Sequence, residues 1–293
     1  MRAISLGLLA RDALLQGLPA SVIGVTSGGV FVLTQDQQVL FLTYSPYHGP
    51  STINLEASLV DLRQNEMGGA VRLNPSQIEI TGSGLKINVN GAALWNPAAP
   101  QKPDDQQINT LPERLERVAL AAGSQKGAEG LAPGLKWLVG KGPVVFEGDL
   151  TEKIVAGLAD LRSGIANNDL KAIIQAAGRI SGYGRGLTPA ADDCIAGILL
   201  CLNRWKNVIR VNLNLADLNE ALILVARQKT TSLSATIIEA AALGMADERI
   251  LRVLDGIVNG DFDEPIAVRD LVKMGHTSGV DSLVGITIAF SAK

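Results

Sequence analysis

A change of secondary structure is visible within residues 77–122, which read QIEITGSGLKINVNGAALWNPAAPQKPDDQQINTLPERLERVALAA. At the start of this stretch apolar and polar residues alternate around Ile78 and Ile80, as is typical of strands that are half-buried in a sheet. From Leu111 onward the apolar residues recur every three or four positions, at Leu115 and Val118, which is the spacing of one helix face. The stretch therefore predicts that a β-rich part of the chain ends here and a helical part begins.

The residues before this stretch predict short strands separated by turns. Among the turns, Asn90-Gly91 is a favoured pair for a type I′ hairpin, because both central residues need a positive φ. An opening helix is predicted for residues 4–10, where an apolar run is cut at Arg11-Asp12, too soon for a signal peptide. The spacing of the strands predicts a small antiparallel barrel or sandwich over residues 1–100. The predicted strands are residues 22–25, 30–33, 39–42, 52–55, 70–73, 77–81, 85–89 and 92–95.

The residues after the β-rich part predict a linker followed by helices. Residues 101–112 are polar and proline-containing, which favours a linker. No strand-like alternation separates the later helices, so a doubly wound sheet is not indicated. The sequence thus predicts an α+β protein whose helical domain, residues 113–293, is an all-helical bundle. The predicted helices are residues 113–122, 151–166, 169–177, 189–205, 216–228, 232–244, 247–258, 268–274 and 280–290.

Composition excludes several classes of protein. The net charge of −3, without any block of like charges, gives no basic face for nucleic acid. The two cysteines, Cys194 and Cys201, lie ~10 Å apart along one predicted helix, too far for a disulfide, and the two histidines are too distant for a zinc cage. No apolar stretch reaches the ~20 residues that span a bilayer. We therefore expect a cytoplasmic protein with no metal or cofactor and no membrane or nucleic-acid partner.

The first segment that could carry chemistry is residues 182–193, GYGRGLTPAADD. Thr188 suits the N-cap of a helix and Pro189 its first position, and the N–H groups of that helix start would favour an anion. Asp192 and Asp193 follow in the first turn of a very apolar helix. The alternative is that both acids only complement the helix dipole. An inward-facing carboxylate, however, requires a donor, a cation or a ligand.

The second segment, residues 275–283, repeats this pattern 89 residues later and reads GHTSGVDSL. Its Gly275, Thr277 and Asp281 fit the pattern Gly-x-Thr-(Pro/Ser)-x-x-Asp of the first segment. Each segment enters an apolar helix that is rich in small residues. Two related helix starts in one helical domain suggest a shared cleft, although three identities in eight positions also arise by chance.

A third polar segment, residues 227–234 (RQKTTSLS), has two readings of equal weight. Thr231 or Ser232 could cap the next helix, while Arg227 and Lys229 complement the end of the preceding one. The same hydroxyls and cations could instead form an oxyanion or phosphate pocket.

Each histidine also has two readings. His276 could be a hydrogen-bonded structural residue or a proton donor beside the second helix start. His48 lies in a turn of the β-rich part, where a loop role is the default.

The three polar segments resemble those of a bacterial family that carries a provisional carboxylase label and includes the AllH (YlbF-like) subunit of oxamate carbamoyltransferase, from anaerobic allantoin degradation. The resemblance extends over most of the chain and is specific in the helical half. At Ala190-Ala191 the chain departs from the small polar residue and glycine common in the family. No biotin-type or metal signature supports the carboxylase label.

The resemblance implies transfer of a carbamoyl group between carbamoyl phosphate and the amide nitrogen of oxamate. It also implies that the chain works beside two other protein subunits and that it could be inactive alone. No residue roles come with the resemblance. The competing hypothesis is a non-catalytic subunit that binds a metabolite or a partner. The absence of Walker-type and Rossmann-type glycine motifs disfavours an ATPase or a dehydrogenase.

From the residues themselves we predict one polar site for an anionic small molecule at the helix starts. For the carbamoyl transfer that the resemblance implies, the helix starts at Thr188 and Thr277, with Arg185, Lys229 and His276, could bind the leaving phosphate and polarise the carbonyl group. The predicted catalytic residues are Asp192, Asp193, His276 and Asp281. The predicted ligand-binding residues are Arg185, Gly186, Thr188, Lys229, Thr231, Ser232, Thr277 and Ser278.

Overall fold

The chain divides into two units, Met1–Ala98 and Ala99–Lys293, in a computed structural model that describes residues 1–57, 60–127, 129–143 and 151–292. The first unit consists mainly of β-strands and the second of helices, so the predicted α+β class is confirmed. Each unit has buried apolar side chains of its own. The two units are described separately below.

The first unit is a curled sheet of nine strands in the order β8-β7-β6-β2-β3-β4-β5-β1-β9. Most neighbouring strands are antiparallel, but β4 pairs with β5 and β1 with β9 in parallel. The curl brings the chain start to the edge strand β8, where the Asn88 amide donates to the Met1 carbonyl oxygen (2.9 Å). The strands are β1 (Ala3–Gly7), β2 (Ala20–Thr26), β3 (Gly29–Thr34), β4 (Val39–Thr43), β5 (Thr52–Leu55), β6 (Ala70–Asn74), β7 (Gln77–Ile80), β8 (Leu85–Asn88) and β9 (Ala93–Trp95).

Two local predictions for this unit were wrong. The predicted opening helix begins as strand β1 and becomes helix α1 (Leu8–Gln16) only at Leu8, because β1 pairs on both sides with β5 and β9. The Asn90-Gly91 pair does not form a type I′ hairpin, since only Gly91 has a positive φ (74°). Strands β8 and β9 flank this pair but bond to different neighbours, which explains why the hairpin geometry is not required.

The second unit is built from helices whose centre is formed by α6 and α11. Both helices are buried over most of their length, as their apolar sequences predict. The helices are α2 (Asp105–Lys126), α3 (Pro133–Leu138), α4 (Thr151–Ala166), α5 (Leu170–Ile180), α6 (Ala190–Ile209), α7 (Leu215–Lys229), α8 (Ser232–Ala242), α9 (Glu248–Asn259), α10 (Glu264–Val272) and α11 (Ser278–Ser291).

Helix α2 begins at Asp105, so residues 105–112 of the predicted linker are helical. Asp104 accepts a hydrogen bond from the Gln107 amide (2.7 Å), and the Gln107 side chain accepts one from the Asp104 amide (2.8 Å). This reciprocal capping box stabilises a helix start within a proline-containing segment. Pro112 lies inside the helix. The short helix α3 was not predicted, because six residues are too few to show a helical period.

Helices α6 and α11 approach so closely that glycine is required at two positions of their contact. A Cβ added at Gly197 would overlap the carbonyl group of Ser282, and one added at Gly285 would overlap that of Cys194. The close contact fixes the two helices against each other near their starts. None of the described helices is long and apolar enough to cross a membrane.

Candidate functional site

The two helix-start segments meet in the structure, as their shared pattern predicts. The hydroxyl groups of Thr188 and Ser278 lie 2.9 Å apart and share a hydrogen bond. Since Thr277 adjoins Ser278 and neighbouring Cα atoms are about 3.8 Å apart, the Cα atoms of Thr188 and Thr277 lie within the ~15 Å expected for one small site. We call Thr188, Asp192, Asp193, Thr277, Ser278 and Asp281 the helix-start cluster.

The start of α6 differs from the prediction by one residue. Pro189, not Thr188, is the N-cap, and it has an extended backbone (φ −53°, ψ 140°). The Thr188 hydroxyl therefore bonds to Ser278 and does not cap the helix. At α11 the N-cap is Thr277, whose side chain likewise makes no capping hydrogen bond. Both threonines thus keep their hydroxyl groups for contacts inside the cluster.

Most N–H groups at the two helix starts already donate to carbonyl oxygens of the chain. At α6, the Ala191 amide donates to Tyr183 (3.0 Å), and the amides of the next two residues donate to Pro189. At α11, the amides of Val280 and Asp281 donate to Thr277 (both 2.9 Å). The helix starts therefore offer fewer N–H groups to an anion than the sequence suggested, and their first turns carry carboxylates of the chain itself.

Asp192 is buried and fully hydrogen bonded. Its Oδ1 accepts from the Gly182 amide (2.8 Å) and the Ser181 hydroxyl (3.1 Å), and its Oδ2 accepts from the Thr230 hydroxyl. These bonds tie the start of α6 to the end of α5 and to the turn before α8. A positioning role explains every one of these contacts, and the predicted catalytic role of Asp192 stays a prediction.

Asp193 and Asp281 form a pair of buried carboxylates with incomplete hydrogen bonding. Asp193 is 3% exposed and Asp281 is not exposed at all. The Oδ1 atom of Asp281 accepts from the Leu131 amide (2.7 Å). The Oδ2 atoms of both residues are shielded from solvent and have no hydrogen-bond partner in the described part of the chain. Such atoms are uncommon in native proteins and point to a missing donor or cation.

The electrostatics of the pair follow from this burial. Burial and the charge of Asp281 raise the pKa of Asp193 well above its usual value, although the hydroxyls of Ser278 and Thr188 oppose the rise. Burial likewise raises the pKa of Asp281 to about 7, against the opposing effects of Thr277 and the Leu131 amide. A carboxyl group with a pKa near 7 can exchange a proton at neutral pH.

Sequence reasoning missed the segment that covers Asp281. Gly130 has a positive φ (54°) and stands so close that an added Cβ would lie 2.6 Å from the Oδ1 atom of Asp281. The next amide, that of Leu131, donates to the same atom across 150 residues of sequence. The glycine was the only local signal, and it did not indicate a distant partner.

The third segment combines capping with contacts to the first. Thr231 caps α8 by accepting from the Ser234 amide (3.1 Å), and its hydroxyl donates to the Leu187 carbonyl oxygen (2.8 Å). The ammonium group of Lys229 donates to the Gly178 carbonyl oxygen (2.6 Å). Residue Ser232 is the first of α8. The predicted cap is therefore confirmed, and the segment packs beside the first helix start.

The remaining predicted residues lie on the surface around this cluster or outside it. Arg185, Gly186 and His276 are exposed. Gly186 has a positive φ of 97°, which favours glycine there. Arg185 makes no hydrogen bond or ion pair with any described residue. His48 belongs to the first unit, where its ring stacks on that of Trp95 (5.9 Å between centroids).

Among the described residues, no group of three or more His, Cys, Asp or Glu side chains could hold a metal ion. A hollow of 260 Å³ between α4 and α5 is lined by residues such as Asp160, Asn167 and Arg179, and none of the helix-start cluster lines it. The Asp193–Asp281 pair does not line this hollow; it lies beneath a layer of hydroxyl groups and backbone.

Comparison with known proteins supports one family for the helical half. Residues 180–290 match a family model described as oxamate carbamoyltransferase subunit AllH. The matched range contains the whole helix-start cluster and the third segment, but neither the first unit nor Leu131. No solved structure matches the chain.

Proposed function

We propose that this chain is a subunit of an oxamate carbamoyltransferase-type complex that acts in the nitrogen catabolism of allantoin in the cytoplasm. The observation that carries the proposal is the match of residues 180–290 to the AllH family model, because this range holds the entire helix-start cluster. The buried carboxylates with unpartnered oxygens support a site at that place.

The proposed reaction requires two functions from the protein. The amide nitrogen of oxamate attacks the carbamoyl carbon of carbamoyl phosphate, the bond from that carbon to the phosphate oxygen breaks, and phosphate leaves with the electron pair. The nitrogen loses one proton, so an acceptor is needed beside it. The leaving phosphate needs cationic or N–H donors. In the degradative direction, oxalurate and phosphate give oxamate and carbamoyl phosphate.

The helix-start cluster and the exposed residues around it have the residue types for both functions. We assign binding and orientation of the reacting groups to Asp193 and Asp281, whose unpartnered Oδ2 atoms can accept a hydrogen bond or contact a cation. The exposed side chains of Arg185, Lys229 and His276 are assigned to the anionic phosphate group. Asp192 is assigned a positioning role, since the chain already satisfies its carboxylate.

A second candidate is a non-catalytic subunit that binds a metabolite or completes a partner's site. The observation that favours it is the burial of Asp193 and Asp281, because substrate could reach them only after the covering hydroxyls and backbone move. In this reading the exposed residues around the cluster contact a partner subunit.

The test is to purify the chain together with the proteins encoded by neighbouring genes and to measure oxalurate formed from oxamate and carbamoyl phosphate. We expect activity from the complex and none from the chain alone. Activity of the partners without this chain would contradict the proposal. An assembled complex that binds the chain but makes no oxalurate from these substrates would contradict it as well.

A further inference from the structure

We propose that Asp193 and Asp281 bind one divalent metal cation that prefers oxygen ligands, held between the starts of α6 and α11. The inference uses two side chains of the proposed site but concerns only what they bind, and it replaces the expectation, drawn from the cysteine and histidine positions, that the chain holds no metal.

The first argument is the pair of unpartnered oxygens. The Oδ2 atoms of Asp193 and Asp281 are shielded from solvent and receive no hydrogen bond from the described residues. Burying an ionised carboxylate without a partner is very costly. Two such atoms on neighbouring helix starts are more simply explained by one shared ligand than by two separate defects.

The second argument is that the chain itself does not neutralise the pair. Within the described ranges, neither Asp193 nor Asp281 forms an ion pair. The charge of Lys126 lowers the pKa of Asp281, but its ammonium group forms its ion pair with Glu129 (3.1 Å). The two helix starts supply roughly half a positive charge each, which offsets only about one of the two negative charges.

Protonation of one carboxyl group does not remove the difficulty. A proton on one Oδ2 atom removes one of the two buried negative charges, and the other carboxylate still has no ion-pair partner among the described residues. A divalent cation, in contrast, would neutralise both carboxylates.

The third argument is the chemistry of the surrounding atoms. The hydroxyls of Thr188 and Ser278 lie 2.9 Å apart and interact with Asp193, so the groups facing the pair carry oxygen. Magnesium, manganese and calcium prefer oxygen ligands, and magnesium is often bound by only one or two carboxylates with water or substrate completing its shell. The two aspartates and the two hydroxyls would supply part of the shell of such an ion, and water or substrate would supply the rest.

The test uses the full chain, stripped with a chelator, and Mn²⁺ as a paramagnetic probe. Free Mn²⁺ is counted by electron paramagnetic resonance during titration, with Mg²⁺ as a competitor. We expect one Mn²⁺ per chain, displaced by Mg²⁺, and a loss of affinity of tenfold or more in both Asp193→Asn and Asp281→Asn. Absence of saturable Mn²⁺ binding in the unmodified chain would overturn the proposal.

A matched control is Asp270→Asn, because Asp270 is also buried in this unit but is paired with Arg252 and Arg269. It should bind Mn²⁺ like the unmodified chain. Equal binding by all three variants would place the ion elsewhere and overturn the proposal.

Folding of the variants is checked by circular dichroism. Asp281→Asn keeps an oxygen for the Leu131 amide, so it should fold. Should an aspartate variant not fold, Thr188→Val and Ser278→Ala take its place. At least one of them should weaken Mn²⁺ binding, and unchanged affinity in both would count against the site.

Discussion

Asp192 and Asp193 are adjacent in the first turn of α6 but differ in their hydrogen bonding. Because neighbouring residues point about 100° apart on a helix, the sequence left open whether one of them faces inward. In the structure both are buried, yet the chain satisfies Asp192 and leaves one oxygen of Asp193 unpartnered. The difference depends on Gly182 and Thr230, which reach Asp192 through the fold and not through the local pattern.

We predict that Asp192→Ala lowers the free energy of unfolding by about 1–3 kcal/mol, because the donors that Asp192 satisfies lose a buried acceptor. Urea denaturation measures the change. Asp261→Ala, at an exposed position without a hydrogen bond to the described residues, is the control and should change stability by no more than ~0.5 kcal/mol. Equal stability of both variants would show that Asp192 does not hold the helix start in place.

Helix capping by Thr231 gives a prediction at the scale of one element. Thr231→Val keeps the shape of the side chain but removes both the cap of α8 and the hydrogen bond to Leu187, so stability should fall by about 1–2 kcal/mol. Thermal melting of Thr231→Ser, which keeps the hydroxyl group, provides the comparison. If serine and valine destabilise the protein equally, the hydroxyl group is not what matters.

The contact between α6 and α11 gives a second prediction at this scale. Gly197→Ala and Gly285→Ala should each destabilise the protein by about 3 kcal/mol or more, since the new methyl group would overlap backbone of the facing helix. The matched control is Gly178→Ala inside α5, where an added Cβ would meet only the end of Lys229 at 3.7 Å.

At Gly178 the helix should gain up to about 1 kcal/mol, because alanine is the better helix former. Chemical denaturation measures the free energy of unfolding of the three variants. Comparable effects at all three glycines would contradict the close contact of the two helices.

How well elements were predicted depended on whether their signal was local. Strand β5 and helix α4 were predicted with their observed bounds, since alternation, period and turns are local properties. The opening strand β1 was missed because its pairing partners, β5 and β9, lie far along the sequence. The early start of α2 was missed because the prolines of residues 97–112 predicted a linker, although a capping box begins the helix within this segment.

For the whole molecule, the predicted change from strands to helices near residue 100 corresponds to the division into Met1–Ala98 and Ala99–Lys293. The candidate site was only partly predictable. The repeated Gly-x-Thr pattern predicted that the segments of Thr188 and Ser278 lie close together, as they do. Nothing in the sequence around Leu131 indicated a hydrogen bond to Asp281.

We predict that residues 99–293 fold without the first unit, because their buried apolar core is formed within that range. The fragment should show a helical circular dichroism spectrum and one cooperative unfolding transition. A fragment that is unfolded or lacks a cooperative transition, while the full chain is folded, would contradict the independence of the two units.

The measurement that tests the central claim most directly is the rate of oxalurate formation by the assembled complex containing Asp193→Asn. If the helix-start cluster is the site of carbamoyl transfer, the variant complex should assemble normally and lose activity by about a hundredfold or more, as expected for a lost catalytic or orienting group. The complex containing Asp270→Asn, whose buried acid lies outside the cluster, should keep its activity. A correctly assembled Asp193→Asn complex with undiminished activity would show that the chemistry does not occur at this cluster.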